Sequence, residues 1–278
     1  MLLGQLLEKI LPIQIEGKAT SGSTTTIGDT NLIGKYDTDA FKDGIAFIHS
    51  TTDGLAPTGQ YGTVTGFVDA TGVFTIDTTL TAAVASGDYY SIADPQFTII
   101  PLLRVVNDAL RDFGLIALVD TSITSAADTL EYSLPLALKA FPLDRVELGN
   151  VTDGWHELND WYVLPATGGA QGKIVFNSQP AYDGSTAANE TFRLWYRSYH
   201  PTVDTYEDTI SETIPEARAV KECRVALQKY MMERDSDFSK EALQKLGMFN
   251  NDLQESKRTQ LVNVPNRKLS KFLSVRDM

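Results

Sequence analysis

Apolar residues at Leu2, Leu3, Leu6, Leu7, Ile10 and Leu11 recur at helical spacing and predict a short amphipathic helix stopped by Pro12. No basic lead or small-residue cleavage site accompanies it, so it reads as part of the fold rather than as a secretory signal. The period then changes. Across residues 17–95 Gly and Thr are dense, and Thr24, Thr26, Ile45, Phe47, Val64, Phe67, Val73, Phe74, Ile76, Tyr89, Tyr90 and Ile92 fall in short β-favouring runs. Asp53-Gly54, Gly59, Gly72 and Gly87-Asp88 break these runs, which predicts five or six strands, enough for a small barrel or sandwich. Within Phe67–Phe74, Gly72 can take the positive φ of a hairpin turn.

A second helix is expected from Thr98, a capping residue, with Pro101 in its early turns. Ile99, Leu103, Val106 and Leu110 would form its stripe, and Gly114 its stop. Residues 120–200 return to strands: Ser122–Thr124, Thr129–Leu134, Arg145–Leu148, Trp161–Leu164, Lys173–Phe176 and Thr191–Tyr199. In the last of these Phe192, Leu194 and Tyr196 alternate with Arg193, Trp195, Arg197 and Tyr199, which predicts a sheet packed on one face only. Thr213-Ile-Pro-Glu216 fits a capping box opening a helix through Val220, Cys223, Leu227, Tyr230 and Met231. Ser236 or Ser239 opens another, through Ala242, Leu243, Leu246, Phe249 and Leu253, and the pattern ends before Pro265.

The length of 278 residues allows about two domains. With 42% hydrophobic and 22% charged residues, the composition excludes a wholly disordered or fibrous chain. The net charge of −12 means that the body repels nucleic acid, so contact with DNA would need a local basic patch. The tail is such a patch: Lys257, Arg258, Arg267, Lys268, Lys271 and Arg276 stand against the single acid Asp277. It reads as a DNA-phosphate contact, a disordered tail or an interaction arm. Leu269, Phe272, Leu273 and Val275, set among the charges, favour the arm. One cysteine excludes an intrachain disulfide, and no run of apolar residues is long enough to span a bilayer, so no membrane is expected as a partner.

Little else points to chemistry. His49, His156 and His200 lie in separate segments with no ligand partner at helical spacing. Gly168–Lys173 departs from a phosphate loop in its glycine spacing, in having Ile174 where Ser or Thr would bind magnesium, and in preceding a strand. Asp153, Glu157 and Asp160 beside Trp155 and Trp161 could be a carbohydrate site, but a solvated turn with tryptophans entering a core fits better. Cys223 occupies a core-facing helical position and reads as a small buried hydrophobe. The expectation is a non-enzymatic protein with no catalytic residues, no metal and no cofactor.

The succession Val106–Gly114, Leu130–Pro135, Arg145–Leu148, Lys173–Phe176, Phe192–Tyr196 and the Ile214-Pro215 helix resembles head-to-tail adaptor (connector) proteins of tailed bacteriophages, over roughly residues 97–250. The Thr/Gly-rich segment also looks like small β modules inserted into phage structural proteins. The resemblance implies a ring, commonly of twelve copies, bound beneath the portal protein and extending the DNA channel towards tail or neck proteins. Genomic DNA would pass through its lumen without sequence-specific binding. It implies the head-to-tail junction of a virion as location, with assembly in the host cytoplasm. It also implies a C-terminal extension that docks on the portal, for which Arg267, Lys268, Leu269, Lys271, Phe272 and Leu273 are the candidate contacts. Another virion component, such as a tail or decoration protein, is the alternative, and a carbohydrate-active protein a more distant one.

The expected fold is α+β: a helical core with an antiparallel sheet, an inserted small β-barrel or β-sandwich domain, and an extended C-terminal arm. Its parts are an N-terminal core helix (1–16), the inserted β domain (17–95), the α+β core (96–256) and the basic arm (257–278).

Overall fold

The computed structural model describes residues 1–259 except 56, 136, 137, 139–142, 151, 153, 166–171, 182–188 and 236–238. The described residues form two compact units, one of Met1–Phe113 with residues 200–259, the other of Gly114–Tyr199.

The first unit opens with α1 (Leu3–Ile10), where Leu3, Leu6, Leu7 and Ile10 are buried as the spacing predicts. The Gln5 side chain accepts the Leu2 N–H at 3.1 Å. At the other end Leu11 N–H still reaches Leu7 O, and Pro12 prevents another turn. Seven strands follow: β1 (Ile13–Lys18), β2 (Ser21–Gly22), β3 (Thr26–Gly28), β4 (Ile45–Ser50), β5 (Tyr61–Val68), β6 (Val73–Ile76) and β7 (Tyr89–Ala93). They make one antiparallel sheet in the order β1-β7-β4-β5-β6-β3-β2. Tyr90 on β7 and Phe74 on β6 are three strand positions apart, about 14 Å in a flat sheet. Their rings are 5.7 Å apart. The sheet therefore curls, enclosing a cluster that includes Ile15, Ile27, Phe41, Val64, Phe67, Phe74 and Tyr90. Gly72 closes the β5–β6 hairpin at φ +64, as the sequence predicts.

Three longer helices complete this unit: α2 (Ile99–Arg111), α3 (Glu216–Asp235) and α4 (Lys240–Thr259). α2 buries Leu102, Val105, Val106, Ala109 and Leu110, a face rotated from the expected stripe, and leaves Ile100 72% exposed. Thr98 is the residue before its first turn but its side chain makes no capping bond. Gly114 at φ +76 ends the turn beyond it. Ser239 caps α4, its hydroxyl accepting Ala242 N–H at 3.2 Å. α1 is tied to α3 where the Arg224 guanidinium donates to Lys9 O and where Lys9 pairs with Glu216.

The second unit contains β8 (Ile116–Asp120), β9 (Glu131–Ser133), β10 (Leu143–Asn150), β11 (Gly154–Leu158), β12 (Trp161–Leu164), β13 (Lys173–Phe176) and β14 (Thr191–Ser198). They form a four-stranded sheet, β11-β10-β14-β8, and a three-stranded one, β12-β13-β9. Both contribute to one core, in which Tyr132, Ile174 and Phe176 meet Val146, Leu148, Phe192 and Leu194. Phe176 stacks on Phe192 at 5.4 Å.

These elements correct the expected fold class. Fourteen strands in three antiparallel sheets and four helices are present among the described residues, a mainly antiparallel β protein rather than a helical core with one sheet. Among the described residues two apolar clusters are made of residues on strands and the loops between them, beside the buried faces of α1, α2 and α3. Long helices announce themselves locally through their period. Sheets depend on pairing between distant segments, which a one-dimensional pattern undercounts.

Candidate functional site

The candidate portal contacts Arg267, Lys268, Leu269, Lys271, Phe272 and Leu273 lie outside the described residues, as does most of the Gly168–Lys173 loop. Lys173 opens β13, and its ammonium reaches the Glu131 carboxylate at 2.8 Å.

The most organised polar surface is the outward face of the four-stranded sheet. The alternation of β14 sends Phe192, Leu194 and Tyr196 into the core, which turns Arg193, Trp195 and Arg197 outward. Antiparallel register sets Arg145 opposite Trp195 and Glu147 opposite Arg193, while Gly149 pairs with Trp155 on β11. A Cβ on Gly149 would lie 2.0 Å from the Gly154 carbonyl oxygen, so this tight hairpin requires glycine there. The result is a stacked ladder. The Arg193 guanidinium lies 3.8 Å from the Trp155 ring centre and that of Arg145 lies 4.5 Å from Trp195.

Glu147 is the hub. It is 8% exposed, and a carboxylate so buried needs donors to offset its lost hydration. Trp195 Nε1 donates to it at 2.8 Å, Arg145 Nη2 lies 3.3 Å away and Arg193 Nη1 4.0 Å. On the same sheet Arg197 Nε donates to Asp144 at 2.9 Å. The three arginine side chains keep about a third of their surface open. Such a face offers rigid arginine and tryptophan side chains, the types that dominate binding energy at protein interfaces. The alternation on β14 was readable in the sequence. Glu147 was not, because its place depends on register.

The tempting carboxylate and tryptophan cluster is divided among other tasks. Trp155 lies under Arg193, while Trp161 packs against the core and donates its Nε1–H to Leu158 O at 2.8 Å. Asp160 accepts from the Asn177 amide and the Ser178 hydroxyl. Glu157 faces Glu147 across the β10–β11 pair. Asp153 lies outside the described residues.

Two histidines of the first unit have opposite surroundings. His200 is buried, with Nδ1 2.6 Å from Pro201 O and Nε2 accepting Ser211 N–H at 3.0 Å. Burial lowers its pKa and favours the neutral ring. His49 on β4 pairs with Glu8 of α1, and Ser91 on β7 donates to the same carboxylate at 3.3 Å. The bond to Glu8 raises the His49 pKa despite the opposing effect of burial, with Glu16 on β1 adding a smaller push. No local pattern marks this pair, since its partners lie on different elements. A raised folded pKa contributes stability that is complete below about 6.5, the unfolded value, and is lost as pH rises through the folded value. His200 works in the other direction, so the two must be separated by mutation. Denaturation of His49→Gln across pH 5–9 should therefore lose the component that declines with rising pH; an unchanged profile would show that the Glu8 pair does not govern it.

Cys223 is fully buried and burial pushes its thiol up to about 12, in keeping with a packing role. Among the described residues no three His, Cys, Asp or Glu side chains gather as a metal site, and no helix is long and apolar enough to cross a membrane. No protein-family model matches the chain, and no curated protein matches it.

Proposed function

We propose that the protein is a structural head-to-tail adaptor of a tailed phage, forming a ring below the portal that extends the DNA channel and connects it to the tail. The observation that carries this reading is the ordered succession of segments between residues 97 and 250. Each segment that resembles an adaptor overlaps or borders an element of the fold: α2, β9, β10, β13, β14 and α3. The acidic charge supports it, because a lumen of the same sign as DNA limits sticking during passage. The outward arginine and tryptophan ladder suits the repeated contacts between subunits that a ring needs. Electron microscopy of the purified protein with and without a portal tests the reading. Closed rings seated on the portal are expected; single subunits that leave the portal bare would refute it.

Attachment in this reading falls to the C-terminal arm. Phe272 and Leu273 supply apolar anchors, and Arg267, Lys268 and Lys271 speed encounter with an acidic portal surface. Phe272→Ala is expected to cost about 1–3 kcal/mol of portal affinity, nearly independent of salt. Reversing Lys268 and Lys271 should slow association, with a deficit that shrinks as salt rises. Removal of 265–278 should abolish stable attachment, and undiminished affinity at both low and moderate salt would move the contact to the ring body.

A further inference from the structure

α2 and α3 run antiparallel, with Arg234 donating to Gln96 O at one end and Arg218 over the Phe113 ring at the other. Between them lies an open groove of about 470 Å³. Its lining recurs at intervals of three and four from Pro101 on α2 to Asp112 at its C-cap and from Glu222 to Glu233 on α3. Two helix faces in that register leave a furrow shaped for a third helix. Val105, Ala109, Val225 and Ala226 give it a low apolar floor. Four acids, Asp108, Asp112, Glu222 and Glu233, outnumber Arg104 and Lys229 around it. Lys257 of α4 pairs with Glu222 at 3.2 Å, whereas Asp108, Asp112 and Glu233 have no ion-pair partner among the described residues.

We propose that this groove receives the basic arm, residues 260–278, of a second copy of the chain. Leu269, Phe272 and Leu273 stand at i, i+3 and i+4, the spacing of an apolar helix face, and Lys268 and Lys271 flank them. An apolar stripe edged with positive charge complements an apolar floor edged with acids. The linker 260–267, extended, reaches about 25 Å beyond α4 before the helical stripe begins. One arm entering the next groove is a heterologous contact, which repeats until a ring closes. The proposal rests on the adaptor reading only for the purpose of that ring. On the portal the same arm would exchange one acidic partner for another.

The test uses the full chain without portal, so its failure leaves portal binding to be judged separately. An equal mixture of unlabelled and ¹⁵N-labelled protein is cross-linked with a zero-length carbodiimide reagent and digested. Links between Lys268 or Lys271 and Asp108, Asp112 or Glu233 are expected in mixed-isotope pairs. Links confined to one isotope would show the arm in its own groove, and links elsewhere or none would remove the site; each result overturns the proposal. In parallel, sedimentation should show self-association weakened on the order of tenfold at low salt by Asp108→Lys with Glu233→Lys. Lys268→Glu with Lys271→Glu should do the same, and combining the two pairs should restore association. A combined variant no better than either pair, or a wild-type chain that stays monomeric, would also overturn it.

Discussion

Gly72→Ala is expected to destabilise the first unit by about 3–4 kcal/mol, seen as a lower urea midpoint. Two costs combine. At φ +64 an alanine loses about 1–2 kcal/mol for the left-handed backbone alone. Its Cβ would also sit 2.2 Å from the Asp29 carbonyl oxygen, so backbone must move. That movement disturbs more than a turn, because Asp29 N–H donates to Gly72 O and its carboxylate accepts the buried Tyr90 hydroxyl at 2.8 Å. Tyr90 packs on Phe74 within the enclosed cluster. Gly34 and Gly54 provide the control, since both have φ +72 with open space where a Cβ would go. Their alanine variants should show the conformational cost alone. If Gly72→Ala is no worse than Gly34→Ala, the close approach of the two loops does not constrain the sheet.

Glu147→Ala should cost the second unit about 2–4 kcal/mol. The variant leaves the Trp195 indole N–H without its acceptor and two arginines without their shared counter-charge. The lower bound allows for the solvent that still reaches both guanidiniums. Glu147→Gln keeps an acceptor for Trp195 while removing the charge, so it separates the two contributions. All three tryptophans of the chain lie in this unit, which makes their emission a selective readout of its unfolding. Equal losses in both variants would assign the effect to charge. An Ala variant as stable as the native chain would show that the ladder holds without its hub.

What the sequence disclosed follows from how local each signal is. α1, the Gly72 hairpin and the two-faced β14 were legible because period, proline or glycine declares them within a few residues, whereas α3 begins at Glu216 without the expected capping box, the Thr213 hydroxyl bonding Ser211 instead. β8 and β11 were missed. The first follows Gly114 as a short apolar run without alternation, and the second lay behind Asn150–Gly154, which reads as a break rather than as the tip of a hairpin. Those two strands are the outer members of the four-stranded sheet, so missing them concealed its extent and shifted the fold class towards helices. The Arg–Trp face was half visible: one strand presented Arg193, Arg197 and Trp195, while Arg145, Glu147 and Trp155 needed register to join them. Glu8 with His49, and the matched linings of α2 and α3, depend on tertiary packing alone.

The attachment of α1 to α3 sets an order on synthesis. Lys9 O and the Arg224 guanidinium that binds it are 215 residues apart. At a ribosomal pace of about 5–20 residues per second, α1 is made roughly 10–40 s before α3 exists to cover it. During that interval Leu3, Leu6 and Leu7, which are fully buried in the finished protein, have no helix to rest on. The strands from Ile13 to Ala93 and the whole of Gly114–Tyr199 can pair internally as they emerge. Closure of the first unit is thus a late step, and until α3 is made the nascent chain carries an exposed amphipathic segment on which a holdase chaperone can act.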